Sequence, residues 1–472
     1  LDMHIHVVSP GETLWGISQM YQSNVEQIGL LNHLADENVL VVGQALVIPD
    51  LQREYVVQPG DDIWSIARRY EVSVAQLVEM NDIANPSLVF AGDFLMLPYS
   101  YHMVQPGEST WGIAQRYGVS INQIVQANSL SNPALIYTGQ RLRIPAQSQP
   151  IIDVNAYTTR EGEAAQQEVN VLGRYFTFLA PFMYAVTEDG GITTMQEQAL
   201  LETARANNLA PLLVLTNFAD GSFSSDLAAA ILRNPDRQDR LLTAVLEEIN
   251  TKGYTGLNLD FEYVYPEDRE RYNAFLRKAV ARLRPLGLSV STALAPKISG
   301  DQQGLLYEAH DYSAHGEIVD FVVLMTYEWG WAGGRPWAIA PINNVRDVLD
   351  YAVTVIPADK ILMGVPLYGR DWNVPWVEGT IAATVSPQQA IQLAVQYGAD
   401  IQYDETYQSP FFRYVDERGQ QHEVWFEDAR SVQVKYDTVN EYGLKGVSFW
   451  VLGNPFPQNW PVLQTNFNVR KR

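Results

Sequence analysis

Seven residues recur in three copies over the first third of the chain and hold register without an insertion. Counted from Gly11, Gly60 and Gly107, each preceded by Pro, a Trp follows at +4 (Trp15, Trp64, Trp111) and a Tyr at +10 (Tyr21, Tyr70, Tyr117). An Asn stands at +21 (Asn32, Asn81, Asn128), a Gly at +32 (Gly43, Gly92, Gly139) and a Pro at +38 (Pro49, Pro98, Pro145). Self-similarity of this kind requires three copies of one small unit. In each copy a β-like run precedes Pro-Gly, and apolar residues then return at helical spacing, as in Leu14, Ile17, Tyr21 and in Ile63, Ile66, Tyr70. A second helix is expected over Val25 to Leu31, and a β run from Ala45 to Ile48 closes the unit. The order is βααβ, in units 4–49, 54–98 and 101–145. The Trp at +4 shares its helix with Ile and Tyr and is expected as core filler rather than as a sugar-stacking ring.

These repeats resemble lysin motifs (LysM domains), small modules that hold N-acetylglucosamine-containing glycans such as peptidoglycan or chitin. The resemblance implies a shallow groove formed by Gly11, Glu12 and Thr13, by Gly60, Asp61 and Asp62, and by Gly107, Glu108 and Ser109, each with the loop before the last strand. Three weak sites in series would add avidity.

The remaining composition narrows the partners. The formal charge is −22, and both the repeats and the rest are acidic, which excludes nucleic acid as a partner because phosphate binding needs Lys and Arg. There is no Cys, hence no disulfide and no thiolate metal site, and the seven His follow no metal-ligand spacing. No metal or cofactor is expected. Apolar runs such as Phe321 to Met325 fall far short of the roughly 20 residues that cross a bilayer, so no membrane span is expected. The start, Leu1 to Ile5, lacks the charged and apolar regions of a signal peptide.

After the polar linker Ala146 to Pro150, apolar strands alternate with longer amphipathic helices over 150–472. Strands are expected near Ile151 to Ala156, Tyr175 to Met183, Ala210 to Leu215, Gly256 to Glu262, Leu288 to Ala295, Phe321 to Tyr327, Ile361 to Leu367 and Gly446 to Leu452. Eight is the count of a closed barrel, an α/β (β/α)8 TIM barrel, with helices such as Glu267 to Leu286 and Asn344 to Val355. A stretch at 371–428 reads as a small α+β insertion after strand seven, one helix with strands Gln402 to Asp404, Phe411 to Val415 and His422 to Phe426, walling one side of a cleft.

The fourth strand carries the chemistry. With a side-chain period of two, Asn258, Asp260 and Glu262 share the interior face while Leu257, Leu259 and Phe261 face out. Two carboxyls forced together in a low-dielectric site raise one pKa, and a protonated Glu at the top of a barrel strand is a ready general acid. This segment resembles the DxxDxDxE signature of glycoside hydrolase family 18, and Leu324-Met325-Thr326-Tyr327, Ser448-Phe449-Trp450 and Thr292 to Pro296 extend the resemblance over 150–472. It departs from the pattern at Thr255 and Asn258, where Asp is usual; because Asp260 and Glu262 are kept, this reads as tuning.

That resemblance implies Glu262 as acid/base, Asp260 holding the substrate acetamido N–H, Tyr327 bonding its carbonyl oxygen and Trp450 as the floor under the sugar. Asn258, Met325, Tyr368, Trp372, Trp329 and Tyr157 are the further substrate-binding candidates, within a wider aromatic group that includes Trp331, Trp337 and Trp376. The implied reaction retains configuration through attack by the substrate's own acetamido oxygen. LysM repeats joined to such a barrel most resemble the spore cortex-lytic or spore-coat N-acetylglucosaminidases of endospore-forming bacteria. A place in the spore coat, cortex or cell wall is the corresponding expectation. A chitinase, and a non-catalytic glycan-binding wall or coat protein, are the alternatives.

Overall fold

The computed structural model describes residues 4–472; Leu1 to Met3, where the sequence offers no signal-peptide pattern, lie outside the described residues. Eight strands form the barrel: β1 (Ile151–Thr158), β2 (Phe178–Pro181), β3 (Ala210–Thr216), β4 (Gly256–Asp260), β5 (Ser289–Leu294), β6 (Phe321–Leu324), β7 (Ile361–Pro366) and β8 (Gly446–Leu452). Each pairs in parallel with the next, and β8 returns to β1 with Phe449 beside Ala156, so the barrel is closed. The expected architecture is the one observed, but the apolar runs overstate the strands. Gly173–Tyr175 is a 3-10 turn ahead of β2, while β4 ends at Asp260 and β6 at Leu324. The turn ahead of β2 buries Gly173 and Tyr175, and Phe261 beyond β4 and Thr326 and Tyr327 beyond β6 are buried as well, so buried sequence runs past the ladder. Glu262 and Tyr327 therefore stand beyond their strands.

The alternation along β4 has the expected sense. Phe261 stacks on Tyr272 and Phe275 of the helix Arg269–Leu283, on the outside of the barrel. The interior is filled by Phe178, Leu212, Val214, Ala293, Val323 and Leu362, with Tyr157 among them.

Between β7 and β8 lies an antiparallel sheet in the order Ala383–Val385, Gly369–Val374, Gln421–Trp425, Ser409–Val415, Gln402–Asp404, with the helix Pro387–Tyr397. Two of these strands, Gly369–Val374 and Ala383–Val385, fall outside the expected set. Their mixed composition carries no alternation, and pairing with Gln421–Trp425 is what orders the former.

Each repeat is βααβ, the first running His4–Val7, Leu14–Met20, Val25–Leu31 and Ala45–Ile48. The glycines at the first repeat position have φ of 83, 89 and 83° and those at +32 have 82, 93 and 82°, left-handed turns that favour Gly. The Asn at +21 ties the second helix to the last strand. Asn32 donates to Ile28 O and Val47 O and accepts from Val47 N–H, and Asn81 and Asn128 repeat the pattern. The expectation for the Trp at +4 is overturned: Trp15, Trp64 and Trp111 are 68, 53 and 64 % exposed. In the first repeat Leu14, Ile17 and Ser18 form the buried stripe, and Trp15, one residue past its start, points away.

Modules one and two share the barrel's hydrophobic core through Leu31, Val47, Val56 and Phe94. Val41 of module one enters the core of the insertion, where Val42 O accepts from Ile401 N–H at 2.8 Å. A Cβ on Gly43 would stand 1.7 Å from Ile401 O, so this approach requires glycine. Module three keeps a separate core around Ile113, Ile124 and Leu142.

Candidate active site

A cavity of about 560 Å³ opens at the C-terminal mouth of the barrel. Its lining includes Tyr157, Asp260, Glu262, Met325, Tyr327, Trp329 and Trp450, delivered by β1, β4, β6 and β8 or the turns just beyond them. Trp450 meets Tyr157 and Phe182 edge-on, with centroids 5.5 and 4.9 Å away.

Asp260 is buried, and among the described residues nothing donates to its Oδ1. Burial pushes its carboxyl up to about 7. Glu262 is driven well above the usual carboxylate range, first by burial and then by the charge of Asp260. The pair therefore holds a proton near neutral pH. The Tyr327 and Tyr157 hydroxyls are raised by burial and by these carboxylates, so both remain protonated donors.

Other expected site residues lie elsewhere. Asn258 does not reach the cavity: it accepts from Tyr157 OH at 2.8 Å and donates to Ser291 Oγ at 2.9 Å, a fixed bracket beneath Asp260. Thr255, at the foot of β4, bonds Pro211 O. Trp372 is 1 % exposed with its indole N–H on Gly334 O, and Tyr368 is buried with its hydroxyl on Glu328. Neither lines the cavity, because the loop 329–337 is tied down by Trp372 and by Ala382 N–H to Ala332 O. For the same reason the insertion supplies no lining residue and instead braces the loop that carries Trp329 and Trp331.

Phe218, Phe223, Tyr263 and Tyr307 line the cavity without having been singled out in the sequence. The first two face each other across a hairpin turned by Asp220-Gly221, both at positive φ, and that dipeptide was a legible hairpin signal. Tyr263 and Tyr307 sit in irregular loops with no such mark.

In the repeats, the acidic loop residues are engaged within their own modules. Glu12 meets His6 Nε2 at 2.8 Å and accepts from Ser9 N–H, Glu108 does the same with His102 and Gln105 N–H, and Asp61 holds Arg69 and Gln58 N–H. Thr13, Asp62 and Ser109 cap the first helices. Gly11, Gly60 and Gly107 are open, with nothing near the position a Cβ would take.

The model of the glycosyl hydrolases of family 18 matches residues 182–454, and that of the LysM domain matches 6–49, 55–98 and 102–145. A cortical fragment-lytic enzyme of Bacillus subtilis is 48% identical over 326 residues, 68% of this chain and 76% of that protein. The crystal structure of the Bacillus cereus spore cortex-lytic enzyme SleL superposes with a TM-score of 0.78 at 37% identity, over 100% of this chain and 99% of that one. A chitinase from Chromobacterium violaceum gives 0.62 at 27%, over 67% of this chain and 98% of the other. Among the described residues, no helix is long and apolar enough to cross a membrane.

Proposed function

The chain belongs to the glycosyl hydrolases of family 18 and carries three LysM domains, and from that premise we propose that it cleaves β-1,4 bonds beside N-acetylglucosamine in peptidoglycan, acting on fragments of the spore cortex. The relatives named for cortex lysis support the substrate, and the LysM domains support retention on a glycan containing N-acetylglucosamine. A place at the spore cortex or coat follows from that substrate.

The observation that carries the chemistry is the pair Asp260 and Glu262, both facing one cavity, one proton between them, with Asp260 Oδ1 lacking a donor. Glu262 gives its proton to the glycosidic oxygen as the bond to the anomeric carbon breaks. The acetamido carbonyl oxygen of the substrate attacks that carbon from the opposite face and forms an oxazolinium ion. Asp260 takes the acetamido N–H and offsets the positive charge, while the Tyr327 hydroxyl bonds the acetamido oxygen and Trp450 supports the ring. Glu262, now a carboxylate, removes a proton from water, which opens the oxazolinium ring and restores the acid. Two inversions leave the configuration retained. Trp329, Met325 and Tyr157 complete the sugar contacts.

In the repeats, we assign the glycan surface to the open backbone at Gly11, Gly60 and Gly107 and to the exposed rings Trp15, Trp64 and Trp111. Side chains of Glu12, Thr13, Asp61, Asp62, Glu108 and Ser109 shape these loops. The test is product analysis on cortex fragments and on chitohexaose: fragments ending in β-configured N-acetylglucosamine, released faster from cortex, are expected. Faster turnover of chitohexaose would make the protein a chitinase, and an initial α anomer would exclude the substrate-assisted route.

A further inference from the structure

Glu262 sits two residues past the end of β4, so its main-chain N–H and C=O have no strand neighbour. One side chain meets both. Asn217, fully buried just after β3, accepts from Glu262 N–H through Oδ1 at 3.0 Å and donates through Nδ2 to Glu262 O at 2.8 Å. Its second Nδ2 hydrogen goes to Ser224 O at 2.9 Å, which fixes the amide's orientation.

A second side chain reaches the same peptide from the other flank. His310, also buried, accepts from Ala295 N–H at Nδ1, 2.9 Å, and donates from Nε2 to Phe261 O, 2.8 Å. Burial lowers the imidazole to about 4, so the ring is neutral, and Nδ1 as acceptor leaves its one proton on Nε2. Ala295 lines the cavity, so His310 joins the turn carrying the acid to the cavity wall beside it. Directly after Glu262 the chain turns through Tyr263 at φ 53°, and no regular ladder resumes.

We propose that Asn217 and His310 clamp the Phe261–Glu262 peptide and thereby set where the Glu262 carboxyl stands, making both of them positioning residues for glycoside hydrolysis. The inference rests on Glu262 being the acid. Neither side chain touches the cavity, so neither is catalytic. Their leverage is geometric, since a misplacement of about 1 Å in a reacting group lowers turnover on the order of 10²-fold.

Four substitutions separate positioning from plain stabilisation. Asn217→Asp keeps the shape but turns an acceptor toward Glu262 O, and Asn217→Ala removes both bonds. His310→Ala removes both of its bonds, whereas His310→Gln keeps one donor and one acceptor. On cortex fragments, kcat is expected to fall on the order of 10²-fold in Asn217→Asp, Asn217→Ala and His310→Ala, with KM within about threefold. His310→Gln is expected to recover at least about tenfold of that loss while melting no higher than His310→Ala. Unchanged kcat in folded variants, or kcat that follows Tm with Gln no better than Ala, overturns the clamp.

A second measurement does not depend on turnover. The Glu262 carboxyl is followed by carbon NMR of glutamate-labelled protein, assigned with Glu262→Gln. The groups facing it are Asp260, Tyr157, Tyr263 and Tyr327. Release of the turn admits water, so the Glu262 midpoint is expected to fall in Asn217→Asp and His310→Ala and to stay near wild type in His310→Gln. Identical titration in all of them overturns the clamp. A wild type inactive on both cortex fragments and chitohexaose would defeat the functional reading instead, and the titration would still judge the clamp.

Discussion

Asp260 is buried and Glu262 partly so, and among the described residues no cation pairs with either, which has a thermodynamic consequence. Asp260 titrates near 7 in the folded chain against about 3.9 in an unfolded one, so between those values the folded state binds the extra proton. The stability this contributes is complete below the unfolded value and is lost as pH rises through the folded one. Asparagine does not titrate. The melting temperature of Asp260→Asn relative to wild type is therefore expected to climb between about pH 5 and about pH 8, by several degrees, while activity disappears. Calorimetry at the two pH values checks this, and a constant difference would mean that Asp260 is not held in its acid form. The same residues were the most legible part of the sequence. Asn258-Leu-Asp-Phe-Glu alternates so plainly that burial of one polar face follows, and two carboxyls on that face imply a shared proton. What the segment could not disclose is that Asn258 stays behind the site, bracketing Tyr157.

At the scale of single elements, the repeats show where pattern reading stops. Recurrence in register established the βααβ unit, and the buried Asn at +21 and the left-handed glycines give the recurrence a physical cause. The recurring Trp departs from the core role expected of it because helical spacing defines a stripe only once its centre is known, and Leu14 with Ile17 places that centre about 130° from Trp15. An exposed ring kept in three copies does no work in its own module. Trp111→Ala is expected to leave Tm unchanged within about a degree, and to weaken retention on insoluble peptidoglycan severalfold, more when joined with Trp64→Ala. Sedimentation binding checks it. A lowered Tm with intact retention would return these rings to a packing role. Trp372 and Tyr368 depart from expectation in the opposite direction: they follow a strand end as cleft walls would, but the tertiary position of the insertion puts them under a loop.

Across the whole molecule, equivalent modules hold unequal positions. The residue at +30 is Val41 in module one, 8 % exposed in the core of the insertion, and Tyr137 in module three, 67 % exposed. No reading of a repeat by itself could separate these fates, because they depend on which surface the copy meets. Val41→Asp buries a carboxylate between module and insertion and is expected to remove about 2–4 kcal/mol of stability, with faster hydrogen exchange in the helix Pro387–Tyr397 and at Ile401. Tyr137→Asp is expected to do neither. Equal effects of the two substitutions would contradict a fixed first module. The barrel, its insertion and two modules thus form one body, joined through shared hydrophobic cores. Hydrolysis in the cavity at the barrel mouth depends on the proton that Glu262 supplies. Reducing-end release from cortex fragments by the wild type and by Glu262→Gln, which keeps shape without a transferable proton, tests it directly: steady release by the former and a loss of at least about 10³-fold in the latter are expected, and comparable release by both would contradict it.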